Sequence, residues 1–154
     1  MGPLMSSRGL TAINPQELGA PRGYANGMLG PVGGRLLCIA GQIAWDGEQR
    51  LVAEDFAGQF AQALANVVTV VRTAGGEPHH LAQLTLYVTD KEEYLATLPA
   101  VGAAYRRLMG KHFPTMALVE VKGLLEPGAK VEIQGLAILP GPGSEDESIE
   151  EKTP

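Results

Sequence analysis

A chain of 154 residues that is 45% hydrophobic and 19% charged is sized for one core, which excludes wholesale disorder, and no apolar run approaches the roughly 20 residues of a membrane-spanning helix. Five acids (Glu145, Asp146, Glu147, Glu150, Glu151) against Lys152 in the last ten residues leave the other 144 with 12 of the 17 acids and 11 of the 12 bases. A near-neutral body with an acidic tail has no basic footprint for a phosphate backbone, so neither nucleic acid nor membrane is expected as a partner.

Residues 1–12 show no hydrophobic period and are expected to form a flexible N-terminus, followed by one domain over residues 13–140 and a flexible acidic tail over 141–154. Residues 1–7 have neither the basic start nor the apolar stretch of a secretory leader, and a lone cysteine forms no internal disulfide; a reducing cytoplasm is expected, with Cys38 a small buried apolar residue. Gly30-Pro31-Val32-Gly33-Gly34 precedes a strand and lacks the Lys-Ser/Thr of a phosphate loop, so it reads as a turn. It leads into a strand over 35–44, with 24–29 as the expected hairpin partner. From Asp55, a plausible N-cap, Phe56, Phe60, Leu64, Val67 and Val71 recur at helical spacing, with Gln59, Gln62, Asn66 and Arg72 elsewhere on the wheel and Gly75-Gly76 as the stop.

Leu84, Leu86 and Val88 alternate with Thr85, Tyr87 and Thr89 in a further strand, after which Asp90 caps a second helix to about Lys111, broken near Pro99. Strands over 115–122 and 130–139 close the chain. The predicted order is β-β-α-β-α-β-β, an α+β domain whose one mixed sheet of about five strands carries two helices on one face. The closing strands are apolar on both faces: Val131, Ile133 and Ala137 against Leu136 and Ile138, and Ala117, Val119 and Val121 against Met116 and Leu118. The face without helices therefore needs a cover, and further copies of the chain supply the simplest one.

Candidates for chemistry are few. The three histidines, His79, His80 and His112, have no zinc-ligand spacing and read as surface or capping residues, and no GxSxG elbow is present. Arg106-Arg107 near a helix C-terminus reads as a macrodipole pair, and Trp45 as a packing residue. Glu132 differs, because strand alternation aims it at the face carrying Leu136 and Ile138, where a carboxylate is costly to desolvate unless it is paired or used. An intersubunit salt bridge and a catalytic role both remain open for it.

Gly23-Tyr24, Ala40-Gly41-Gln42, the helix QFAQALAN closing in Ala74-Gly75-Gly76, the strand TLYVTD, and Phe113-Pro114 leading to Val131-Glu132-Ile133 together resemble the RidA/YjgF family of enamine/imine deaminases over about residues 15 to 139. The resemblance implies a chorismate-mutase-like domain in a homotrimer with clefts between subunits. It further implies hydrolysis of reactive enamine or imine acids to a keto acid and ammonia, with no metal or organic cofactor. Carried over residue by residue, the water-positioning glutamate is Glu132 and the cleft tyrosine is Tyr24. The arginine that holds the substrate carboxylate, two residues past the Phe-Pro step, is here Met116. The family's Ser-Gly-Gln is Ala40-Gly41-Gln42, the small or polar residue two after the arginine is Leu118, and the asparagine three before the helix tyrosine is Gly102, before Tyr105. Tyr87 completes the expected substrate-binding set. These departures remove charge and add apolar surface, leaving two readings: a hydrolase for a substrate less polar than the usual imino acids, and a non-catalytic trimer binding an apolar small molecule in the same cleft.

Overall fold

The computed structural model describes residues 9–142. The apolar stripe from Phe56 forms α1 (Phe56–Thr73), where the Asp55 carboxylate accepts from the Gly58 N–H at 2.9 Å and Gly75, at φ 91°, follows the helix end as expected. Phe56, Phe60, Leu64, Val67 and Val71 are all buried, each such side chain stabilising the fold by about 1.5–3 kcal/mol. Gln59, assigned by the wheel to the polar side, is instead almost fully buried. Its amide donates to the Ala53 and Gly128 carbonyls and accepts from the Lys130 N–H, so three backbone groups compensate its desolvation. Asn66 likewise donates to the Ile43 and Trp45 carbonyls, tying the connection before α1 to the helix.

The four-stranded sheet has the order β3 (Arg35–Gln42), β6 (Val131–Leu139), β4 (Leu81–Val88), β5 (Thr115–Glu120). β5 runs parallel to β4, because a helical crossover separates them, and the other pairs are antiparallel. That crossover is broken at Thr97 into α2 (Lys91–Ala96), capped by Asp90, and α3 (Leu98–Met109), which carries Pro99 in its first turn, where a proline is tolerated. The break expected near Pro99 thus falls at Thr97 and divides the second helix in two, giving three α-helices on a mixed sheet among the described residues.

The N-terminal part departs from expectation. β2 (Gly27–Leu29) does not pair with β3; it pairs with β1 (Thr11–Ile13), a three-residue strand too short to leave a period in the sequence. The reason lies in the Gly30–Gly34 turn, closed by the Gly34 N–H on the Pro31 carbonyl with Gly33 at φ 77°. Its Gly30 and Gly34 lie so close over Ile138 that a Cβ at either would come within 2.8 Å of that side chain, and this folds the chain across the sheet instead of back along β3. Thr11 and Ala12, placed by sequence in the N-terminal segment, therefore belong to a paired strand. Most of both expected flexible ends, residues 1–8 and 143–154, lies outside the described residues.

The core lies between the helices and one sheet face: Leu84, Leu86, Val88, Val131, Ile133 and Ala137 are buried against α1 and α3. The opposite face has no helix on it. Cys38, expected inside, is exposed there beside Leu36, because β3 turns Leu37 and Ile39 toward the helices and the alternate residues outward.

Candidate functional site

β6 alternates strictly, with Val131, Ile133, Gly135, Ala137 and Leu139 buried and Glu132, Gln134, Leu136 and Ile138 on the helix-free face. Glu132 stands opposite Tyr87 of β4, whose hydroxyl donates to Gln134 Oε1 at 2.9 Å. On its other side the register between β3 and β6 slips between Ile39 and Gln42, a bulge that holds Ala40 and Gly41. The Glu132 side chain lies directly on Gly41: a Cβ there would sit 2.8 Å from both Cδ and Oε1. Gly41 is therefore the floor on which the carboxylate rests. Ala40 is exposed, its carbonyl accepting from Gln42 Nε2. The Glu132 carboxylate makes no hydrogen bond or ion pair with any of the described residues.

A second feature lies on the other side of the sheet. Between α2, α3 and the edge of β5 is a cavity of about 220 Å³, walled by Leu84, Leu86, Val101 and Phe113, with Met116, Gly102, Gly23 and Arg106 also lining it. The Phe113-Pro114 step is firmly anchored. Phe113 stacks on Tyr105 at 5.3 Å, the Tyr105 hydroxyl donates to the His112 carbonyl at 2.6 Å, and the Ala25 N–H donates to the Pro114 carbonyl at 3.0 Å. The last bond holds residues 23–25 beside β5, placing Gly23 at the cavity while Tyr24 is 42% exposed. Burial pushes the Tyr105 hydroxyl far above the usual tyrosine range, so it stays a neutral donor. Burial likewise holds His112 below the ordinary histidine value, against the opposing effect of its Nε2–H bond to the Leu81 carbonyl. His80 accepts from the Glu77 N–H through Nδ1 and so caps, as expected, though it is buried, whereas His112 is a half-buried tie to β4 and not the surface or capping residue expected.

The expected site residues thus divide in one subunit. Glu132, Gly41, Ala40 and Tyr87 share the helix-free face, whereas Met116 and Gly102 line the cavity beneath the helices. Leu118 points to the cavity side of β5 but packs on the core. Arg106 was not singled out by sequence, since a basic residue in a last helical turn has an ordinary electrostatic reason to be there. The overlooked signal was its spacing of four from Gly102, which puts the two side-chain positions one turn apart on the same helix face. No cluster of three or more histidine, cysteine, aspartate or glutamate side chains that could hold a metal ion occurs among the described residues, and none of their helices is long and apolar enough to cross a membrane.

Residues 15–139 match the family model described as Endoribonuclease L-PSP. The chain is 32% identical over 108 residues to the 2-iminobutanoate/2-iminopropanoate deaminase of Salmonella typhimurium, covering 68% of this chain and 80% of that protein. It is 28% identical over 105 residues to the human protein of the same name, covering 68% and 73%. Among solved structures, the Rid-family protein YyfB of Yersinia pestis is similar with a TM-score of 0.75 and 30% identity, over 84% of this chain and 98% of that one. The YjgF gene product of Escherichia coli gives 0.58 and 27%, over 90% and 98%.

Proposed function

The chain belongs to the endoribonuclease L-PSP family, the RidA/YjgF family of enamine/imine deaminases, and from that premise we propose that it hydrolyses a small reactive imine or enamine in a cleft between subunits of a homotrimer. The observation that carries this reading is the position of Glu132. Its carboxylate rests on Gly41, has no partner among the described residues, and faces away from the cavity that holds Met116 and Gly102. Within one subunit Glu132 and the cavity lie on opposite faces of the sheet, which supports a Glu132 supplied to the cavity by a neighbouring copy. The exposed apolar residues of the helix-free face, Leu36 at 66% and Val119 at 41% among them, support such a neighbour. The near-neutral body offers no track for a phosphate backbone, so the proposed substrate is a small molecule and not RNA.

The reaction consumes one water and releases one ammonia, turning a C=N bond into C=O. Glu132 takes a proton from water as the oxygen adds to the imine carbon, and passes it to the nitrogen. In the collapse of the resulting carbinolamine the hydroxyl proton moves by the same carboxylate to the departing nitrogen, so Glu132 ends as it began. Tyr24 is the orienting donor. Because Met116 adds apolar wall to the cavity, the proposed substrate carries a larger apolar body and is less polar than 2-iminopropanoate. A trimer that binds an apolar small molecule without turning it over is the alternative that Met116 favours.

The test is Glu132→Gln, which keeps the shape and removes the base. Imines generated in situ by an amino-acid oxidase and scored by loss of semicarbazone trapping give turnover, and light scattering gives mass. A loss of about 100-fold in kcat with the trimer intact is expected. A weakened oligomer, with activity lost only through dissociation, would mark Glu132 as an intersubunit ion pair; unchanged turnover by an intact trimer would remove its catalytic role.

A further inference from the structure

Gly102 lies in the interior of α3, where glycine is disfavoured relative to every residue but proline. The structure shows what the missing side chain permits. One turn later, Arg106 folds back along the helix, with its Nη1 only 3.3 Å from where a Cβ on residue 102 would stand. Both residues line the cavity, and Arg106 is the one charged side chain among the lining residues. Arg50 and Arg72 pair with carboxylates, Asp46 and Glu48 for the first and Glu77 for the second. The Arg106 guanidinium has no such partner among the described residues. Around it the walls are apolar, and a volume of about 220 Å³ exceeds the roughly 150 Å³ cavity that holds benzene.

We propose that Arg106, seated on Gly102, is the anion anchor of this cavity, and that the ligand is a monocarboxylate with an apolar body about the size of a phenyl ring. A planar guanidinium presents two parallel N–H donors to a carboxylate, while the body of the ligand lies against Leu84, Phe113 and Met116. The cation that Met116 does not supply from the strand is supplied from the helix. The inference rests on the proposed function only in taking this cavity as the substrate's seat.

The probes are 3-phenylpropanoate and its neutral counterpart 3-phenylpropanamide, titrated calorimetrically into the native trimer and into variants. The native protein binds the carboxylate about tenfold more tightly than the amide, the low end expected for a charge-assisted contact at an exposed rim. Arg106→Gln abolishes that preference and leaves amide binding unchanged, Arg106→Lys keeps part of it, and Arg107→Gln keeps all of it. Gly102→Ala, whose new methyl meets only the movable end of Arg106, reduces the preference in a folded protein. Equal affinity of the native protein for the two probes, a preference that survives in Arg106→Gln, or no binding of either probe overturns the proposal. Binding needs no turnover, so a failure here leaves the deaminase reading standing, and a failure of Glu132→Gln to affect turnover leaves this one standing.

Discussion

Gly41→Ala tests the local geometry most sharply. The added Cβ would lie 2.8 Å from Glu132 Cδ and Oε1 and 2.9 Å from Cγ, where ordinary contact begins at 3.4 Å, so the carboxylate must retreat by about 0.6 Å. The group that moves is the end of a flexible, half-buried side chain, and Gly41 is not among the positive-φ glycines; the fold therefore accommodates the methyl with little cost. Catalysis does not tolerate it equally, because a misplacement near 1 Å costs on the order of 100-fold when a proton must be handed over in line. A displacement of this size predicts a fall in kcat of about 10- to 100-fold, with the melting temperature within a few degrees of native. The assay is semicarbazone competition across a panel of oxidase-generated imines, with thermal unfolding measured on the same preparation. Native turnover by a folded Gly41→Ala protein would refute the claim that Glu132 works from its seat on Gly41.

Deamination of 2-iminopropanoate should run about 10- to 100-fold below that of an arginine-bearing relative in kcat/KM, since its methyl-sized body leaves the apolar walls beside Met116 unfilled, and parity between the two enzymes would contradict this. Met116→Arg should recover part of the difference. Stability should depend on His112. Its folded value is depressed by burial below the ordinary 6.5, so the unfolded chain binds more protons in the window beneath that value. This contribution to stability is complete above 6.5 and is lost as pH falls toward the folded value. Denaturant midpoints between about pH 5 and 7 should fall with acidification, and His112→Gln should flatten the slope.

The elements that were legible in the sequence are those with a period or a stop signal. Phe56 to Val71 repeats over about four turns, and Asp55, Asp90, Pro99 and Gly75 mark boundaries by chemistry that acts within one turn. β1 was invisible because three residues carry no period, and the pairing of β2 was misread because adjacency in sequence suggests a hairpin while the contact of Gly30 and Gly34 with Ile138 is non-local. Gln59 looked polar because its three backbone partners come from loops up to 71 residues away. In the site, strand alternation was enough to put Glu132 on the helix-free face. Alternation along β5 put Met116 with Leu118, but that this is the face beneath the helices, opposite Glu132, depends on the register of β5 against β4, which no local pattern encodes. Arg106 left a signal in its spacing of four from Gly102, but that its guanidinium folds back over that glycine into the cavity is set by packing and not by spacing.

The central claim is that one subunit's Glu132 serves a neighbour's cavity, and hybrid trimers test it directly. Glu132→Gln lacks the base and Gly102→Trp fills the cavity, so each variant alone is inactive on the imine panel. Subunits mixed in equal amounts and allowed to exchange place an intact Glu132 beside an intact cavity in about a quarter of the clefts of a threefold ring. The account predicts that turnover returns to roughly that fraction of native and that light scattering reports three times the 16.2 kDa chain mass. A monomer, or trimers shown to have exchanged subunits without regaining activity, would contradict it.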